Sequence, residues 1–224
     1  MPDATRGVVR ALDSADLEAA GVRALMLNSF HLAVRPGTRS IQAAGGVHAF
    51  ISWPRLVATD SGGFQVFSLS DINKISDDGV TFKSHIDGAV VHLTPQRSIQ
   101  VQNDLRADII MAFDECPPGG APRPYHEQAL NRTLRWAEQC LVAHHRPGDQ
   151  SLFGIVQGGI HEDLRELCAR RLTELDLPGY AIGGCAVGEG YEAMVKVLNF
   201  TAPLLPADKP RYLMGVGFPR DIVA

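Results

Sequence analysis

The sequence predicts an α/β fold, an incomplete (β/α)8 barrel with an inserted β-hairpin. Three observations carry that reading: short apolar runs of strand character alternate with amphipathic helical segments, a polar or glycine-rich cluster follows each run, and one Asp-Gly pair sits between two further strand-like runs. Strands that alternate with helices form parallel sheets, and in a barrel the strand C-termini converge on one mouth where the active site lies. The clusters are therefore expected to feed one shared pocket.

The strand-like runs are Ala24–Leu27, Leu56–Thr59, Ile109–Phe113, Leu152–Val156, Tyr180–Ile182 and Tyr212–Met214, with Ala4–Val9 as a weak seventh. Between them, Asp13 or Ser14 caps a short helix that stops at Gly21, and Thr94-Pro95 opens a second that runs toward Leu105. Tyr125–His144 places Ala129, Leu130, Thr133, Leu134, Ala137, Cys140 and Leu141 at helical steps, and His161–Leu175 does the same with Leu164, Leu167, Cys168, Leu172 and Leu175. Thr81–Ile86 and Ala89–Leu93 flank Asp87-Gly88, the pair that favours a two-residue type I′ turn. An eight-stranded barrel typically takes about 250 residues, so residues 1–224 are expected to form a single partial barrel domain with at least one strand lacking.

Composition narrows the function. The 224 residues are 45% hydrophobic and 21% charged, with a net charge of −4, which excludes a disordered tail, a collagen-like fibre or a coiled coil. With 21 Lys and Arg against 25 Asp and Glu, nucleic-acid binding would need a local patch. The longest apolar runs are too short to span a bilayer, and the N-terminus lacks an apolar signal core. Cys116, Cys140, Cys168 and Cys185 show no C-x-x-C spacing, so a cytoplasmic protein without disulfides or a cysteine metal cluster is expected. His31, His85, His92, His144 and His145 lack metal-ligand spacing as well.

The residues able to do chemistry cluster after the strands: Asn28-Ser29-Phe30-His31, Asp60-Ser61-Gly62-Gly63-Phe64-Gln65, Asp114-Glu115-Cys116, Gln157-Gly158-Gly159, Gly183-Gly184-Cys185-Ala186-Val187-Gly188-Glu189 and Gly215-Val216-Gly217. Carboxylates Asp60 and Asp114, the amide of Gln157 and backbone N–H groups suit a planar ligand with adjacent donors and acceptors, such as guanine. Phe64 and Met214 could sandwich its ring. Taken alone, Asp60 serves equally to bind its own Gly-Gly turn, and Asp114 more often caps a helix.

The sequence resembles the tRNA-guanine transglycosylases, also called queuine tRNA-ribosyltransferases. The resemblance rests on LNSFHLAVRPG (27–37), DSGGFQVFSLS (60–70), FKSHIDG (82–88), ADIIMAFDECPP (107–118), LFGIVQGG (152–159), GYAIGGCAVGEG (179–190) and DKPRYLMGVGFP (208–219), in the family's order over essentially the whole chain. It implies an irregular TIM barrel that exchanges guanine at the wobble position of GUN-anticodon tRNAs for the 7-deazaguanine preQ1, in queuosine biosynthesis. By resemblance Asp60 is the proton acceptor, and Asp60, Ser61, Gly62, Gly63 and Phe64 line the base pocket. Asp114 reads the N1–H and exocyclic amine, while Gln157 and the Gly183-Gly184-Cys185 backbone address the carbonyl side. Cys116 and Met214 complete the pocket, and Gly215, Val216, Gly217, Phe218, Pro219, Arg220 and Asp221 correspond to the tRNA-contacting segment; Arg211 and Arg220, at the mouth, are candidates for phosphate contacts.

Cys116 and Val187 favour the bacterial, preQ1-using subtype, and Glu189 stands where the family holds the Gly184–Ala186 backbone. The expected partners are the anticodon loop of tRNA, guanine, preQ1 and a second copy of the chain, with no membrane. The family's aspartate nucleophile and its zinc motif C-x-C-x-x-C with a distant His fall past residue 224, so no cofactor is expected within this chain. Other departures are Asp3 for an apolar residue, Ser29 for threonine and Arg220 for an acidic residue. A non-catalytic paralogue that binds base or a partner subunit, and a relative acting on DNA, are the alternatives.

Overall fold

A computed structural model of the chain describes residues 1–64, 73–83, 88–188, 190–219 and 221. It resolves into two compact units: Met1–Phe113 with Gln139–Leu152, and Asp114–Glu138 with Phe153–Ala224. Parallel strands connected through helices run through both, giving the α/β class of an incomplete (β/α)8 barrel.

In the first unit, helix α1 (Ser14–Ala19) starts at a capping box: Asp13 accepts from the Asp16 N–H, and Asp16 accepts in return from the Asp13 N–H. Strand β1 (Ala24–Leu27) pairs in parallel with β2 (Leu56–Thr59), residue by residue from Ala24 opposite Leu56 to Leu27 opposite Thr59. Between them the chain winds through three short helices, α2 (Ser29–Val34), α3 (Thr38–Ala43) and α4 (Val47–Ile51). Sequence patterning names none of the three, because the first lies in a polar cluster and the others start after Gly37 and Gly46 without a side-chain cap.

The insertion is larger than a hairpin. Strands β3 (Asn73–Ser76), β4 (Gly79–Lys83) and β5 (Val90–Leu93) form an antiparallel three-stranded sheet, with Ser76 opposite Gly79 and Lys83 opposite Val90. The two runs around Asp87-Gly88 do pair, but Lys83 lies opposite Val90, whereas a two-residue Asp87-Gly88 turn would set it opposite His92, so the register is shifted by two residues from the expected one; residues 84–87, which include Asp87, lie outside the described residues. The polar run Asn73-Lys74-Ile75-Ser76 lacks the β-branched, alternating pattern that marks a strand, so only its pairing identifies it. Helix α5 (Pro95–Leu105) starts as expected, with Thr94 accepting from the Arg97 N–H and Pro95 in the first turn. It leads to β6 (Ile109–Met111), which pairs in parallel with β2.

Ala4–Val9 does not form a strand. Asp3 makes an isolated parallel bridge to Met26 and the Thr5 carbonyl accepts from the Asn28 N–H, and the chain then turns, with the Gly7 N–H donating to the Ala4 carbonyl at a Gly7 φ of 81° and Val9 bridging back to Leu12. Leu25, Leu27, Val57 and Ile110 from the strands meet Leu32, Ile41, Ile99 and Leu105 from the helices in a buried core.

Helix α6 (Arg123–Ala143) buries the expected stripe through Cys140, along with Trp136; Leu141 is exposed. Strand β7 (Ser151–Val156) follows, then helix α7 (Glu162–Thr173), β8 (Gly179–Ile182), α8 (Tyr191–Thr201), a 3-10 turn at Ala202–Leu204, and β9 (Arg211–Leu213). In the second unit Phe153–Val156 pair in parallel with β8, and β8 with β9. Ile155, Val156, Tyr180 and Ile182 are buried with Leu164, Cys168, Leu172 and Val197. Among the described residues no helix is long and apolar enough to cross a membrane.

One buried side chain ties three elements of the first unit together. Gln102 of α5 donates to the Met111 carbonyl at 2.9 Å, accepts from the Met111 N–H at 2.9 Å and accepts from Thr59 Oγ1 at 3.0 Å. Gln102→Leu keeps the volume but strands those partners in the core, each unpaired group costing about 1–3 kcal/mol. Urea unfolding is expected to show a loss of about 3 kcal/mol with an unchanged m-value.

Candidate active site

The register of β1 against β2 sets the first cluster. Because Leu27 lies opposite Thr59, the next residues, Asn28 and Asp60, leave the sheet side by side, and the Asp60 N–H donates to the Leu27 carbonyl at 3.1 Å. Asn28 Nδ2 donates to Asp60 Oδ2 at 2.6 Å, while Oδ1 accepts from the Ser29 N–H at 2.9 Å, Ser29 Oγ at 3.2 Å and the Gly62 N–H at 3.2 Å. Asn28 also caps α2, its Oδ1 accepting from the His31 N–H at 2.9 Å.

Burial is the larger influence on Asp60. It pushes the carboxyl up to about 7 against the donors of Ser29 and Gly62, which favour the charged form, with the Asp3 charge adding to the rise. The turn role read for Asp60 is present in the Gly62 contact, and it is one of four. Ser61 and Gly62 are buried, Phe64 is half exposed, and a cavity of about 160 Å3 lies beside Ser29, Phe30, Ser61, Gly62, Leu93 and Ser98.

The second unit carries the other cluster. Val156 lies opposite Ile182, so Gln157 and Gly183 follow as neighbours, and the Gly183 N–H donates to the Val156 carbonyl at 3.0 Å. Gln157 Nε2 donates to Asp114 Oδ2 at 2.8 Å, with both residues buried, and Gln157 Oε1 is buried without a hydrogen-bond partner among the described residues. A side chain at Gly183 would come within 2.6 Å of Gln157 Nε2, and one at Gly184, whose φ is +62°, within 2.6 Å of Oε1. The Asp114 side chain goes to Gln157, and the next helix starts nine residues later at Arg123, so the helix-cap role is not what the structure shows.

Behind Asp114, Glu115 is fully buried and paired with Arg132 through two contacts, its N–H donating to Thr133 Oγ1 at 3.1 Å. Burial, then the bond to Glu115, raises Tyr125 to about 12. Sequence reasoning missed this anchor, as it missed the holding roles of Asn28 and Ser29 and the part played by Arg165. Arg165 is 1% exposed and directs its guanidinium at the carbonyls of Gly159, Gly183 and Gly184. Its signal was available: position 165 lies three before Cys168 and seven before Leu172, on the buried face of α7.

The remaining expected residues fall as follows. Cys185 is buried, its Sγ 3.5 Å from the Gly183 carbonyl, and Cys116 is half-buried beside the Pro117 carbonyl. Met214 is half-buried at the end of β9, where its N–H donates to the Ile182 carbonyl at 3.0 Å. Gly215, Gly217, Phe218 and Pro219 are exposed, Val216 and Asp221 are half-buried, and the Asp221 N–H donates to the Phe218 carbonyl. Val187 accepts from the Gly119 N–H at 3.1 Å, and Glu189 and Arg220 lie outside the described residues.

These clusters match a known family. The family model described as queuine tRNA-ribosyltransferase covers residues 1–224. The chain belongs to the queuine tRNA-ribosyltransferase family. Curated relatives with that name include those of Geobacillus kaustophilus, 53% identical over 223 residues, and Synechococcus elongatus, 55% identical over 223 residues. A third, from Acetivibrio thermocellus, is 53% identical over 223 residues. Each alignment takes in 100% of this chain and 59%, 58% and 60% of the respective relative, so the chain spans about three fifths of the curated relatives it matches. The family's zinc motif does not fit the residues present: the chain has no C-x-C-x-x-C, and among the described residues no group of three or more His, Cys, Asp or Glu could hold a metal ion.

The raised Asp60 pKa makes a stability prediction. An unfolded Asp titrates near 3.8 and the folded one near 7, so between those values the folded state keeps a proton that the unfolded chain has lost. Stability from this group is full below the lower value and is lost as pH rises through the window. The window sets an upper bound of about 4 kcal/mol, which the partial exposure of Asp60 reduces to about 2 kcal/mol. Relative to wild type, Asp60→Asn is expected to gain that amount between about pH 4 and pH 8. Chemical denaturation at the two pH values measures it.

Proposed function

We propose that this chain carries the base-recognising and proton-accepting apparatus of a cytoplasmic, bacterial-type tRNA-guanine transglycosylase. It exchanges guanine at the wobble position of GUN-anticodon tRNAs for preQ1. The observation that carries the reading is the buried Asp114–Gln157 pair, a carboxylate acceptor and an amide donor 2.8 Å apart. Side by side they complement the adjacent N–H and C=O groups on one edge of guanine, Asp114 taking the N1–H and exocyclic amine and Gln157 with the Gly183-Gly184 turn taking the carbonyl. Family membership supports the same assignment.

Loop bases are unpaired, so the target guanine reaches such a pocket at modest cost. Attack of a carboxylate on the ribose C1′ forms a C1′–O bond as the C1′–N9 bond breaks, and the guanine leaves with the bonding pair on N9, which takes a proton from the protonated Asp60. The incoming 7-deazaguanine then takes the sugar back through its N9, releasing the carboxylate, and the N9 proton goes to Asp60. An acceptor near pKa 7 holds little excess proton affinity in either direction, so it takes that proton and returns it in the next cycle. The attacking carboxylate is assigned to no residue here, and no cofactor takes part in these roles. The segment from Gly215 to Asp221, in which Gly215, Gly217, Phe218 and Pro219 are exposed, supplies tRNA contacts.

The test is exchange of labelled guanine into a GUN-anticodon tRNA by the protein carrying this chain, with a DNA oligonucleotide in parallel. The wild-type rate is expected to pass through a maximum near pH 7, where Asp60 is available both to give a proton and to take one, and Asp60→Ala to lose about 10²-fold or more. Asp114→Ala is expected to raise the guanine KM by about 10–100-fold. Exchange into tRNA that ignores Asp60 would remove its role, binding of guanine without exchange would favour a non-catalytic relative, and exchange only into DNA would change the polymer.

A further inference from the structure

The Gly183-Gly184 turn is the part of the proposed base site least able to hold itself in place. Two consecutive glycines leave the peptide planes free to rotate, since no Cβ opposes either orientation. A peptide that presents its N–H to a ligand in one orientation presents its C=O in the other, because the two groups point in opposite directions across a planar trans unit. Recognition of an oxo group therefore needs something that fixes which way these peptides face.

Arg165 meets that need. It is buried in the first turn of α7, and Nη2 donates to the Gly183 carbonyl at 2.9 Å and to the Gly184 carbonyl at 3.1 Å. The guanidinium is itself fixed from the other side, Nε donating to the Gly159 carbonyl at 2.6 Å and Nη1 to the Val156 carbonyl at 3.4 Å. A Cβ at Gly158 would lie 2.8 Å from the Arg165 backbone nitrogen, so the turn after β7 closes directly on this residue. Holding the Gly183 carbonyl turns the Gly184 N–H away from the guanidinium, and holding the Gly184 carbonyl does the same for the Cys185 N–H. A buried charge is costly, and a packed apolar side chain of similar volume is often as stable, so packing alone does not account for an arginine.

We propose that Arg165 is a positioning residue that sets the polarity of the Gly183-Gly184-Cys185 peptides. Through it the site presents N–H donors to the 6-oxo group of the base, and so selects bases that carry an oxygen acceptor there. The inference deepens the base-site reading above and rests on it.

The experiment compares the dissociation constants of guanine and 6-thioguanine, whose sulfur is the weaker acceptor, for wild type, Arg165→Lys and Arg165→Gln by calorimetric titration. Wild type is expected to prefer guanine. Arg165→Gln is expected to weaken guanine about 10-fold, leave 6-thioguanine within about 3-fold and bring the ratio of the two close to one. Arg165→Lys, which keeps the charge but not the planar fork, is expected to fall between them and carries the test alone if the glutamine variant does not fold. Equal weakening of both bases would show a purely structural role, and an unchanged ratio in both variants would show none; either overturns the inference while the site reading stands. A wild-type chain that binds neither base overturns the site reading and this inference with it.

Discussion

A carboxylate at the end of a buried strand has to be held by donors, and in this chain the sheet register supplies them. Leu27 opposite Thr59 makes Asn28 and Asp60 neighbours, and the first residues of α2 then deliver the Asn28 amide, the Ser29 N–H and the Ser29 hydroxyl to one carboxyl group. A slip of one residue would turn every side chain of β1 to the opposite face and replace Asn28 beside Asp60 with an apolar residue or a different polar one. Core packing of Leu25 and Leu27 excludes that slip, so the same apolar alternation that folds the sheet places the acid.

The second unit repeats the device with different chemistry. Val156 opposite Ile182 puts Gln157 beside Gly183, and the amide occupies the space where a side chain at Gly183 or Gly184 would be. Glycine there is required by the close approach of Gln157, and the freedom that glycine brings is then removed by Arg165. Asp114 is anchored by the residue after it, since Glu115 is locked to Arg132 and Thr133 of α6. Each polar group in the cluster is thus placed by a neighbour whose own position depends on the hydrophobic core.

Much of this was legible in the sequence. Ala24–Leu27 and Leu56–Thr59 have the bounds their apolar runs predict, and Asp13 and Thr94-Pro95 cap the helices they mark. These features are local, carried by a side chain and the backbone within one turn of it. What escaped depends on partners distant in sequence. Asn73–Ser76 is a strand because Gly79–Lys83 offers it an edge, and α2 is a helix although its first residues read as a polar cluster. Asn28 and Ser29 stood in view as members of that cluster, but their targets lie more than thirty residues away, as the separations of 32 and 31 show. Arg165 was passed over for another reason: its spacing to Cys168 and Leu172 puts it on the buried face, but a charged residue there is read as reaching out to solvent unless carbonyls are known to be waiting for it.

The balance at Asp60 explains why both burial and donors are present. Burial alone would keep the carboxyl protonated throughout the neutral range, and such a group could not accept a proton. Donors alone, in solvent, would hold it ionised and too weak a base to take one. Here the desolvation is the larger influence and the Ser29 and Gly62 contacts oppose it, leaving the group near 7. Ser29 stands where the resembling family usually has threonine, and its hydroxyl still reaches Asp60 Oδ1 at 3.2 Å, so the exchange removes a methyl group and retains the donor. The hydroxyl thus keeps its share in lowering a proton affinity that burial raises.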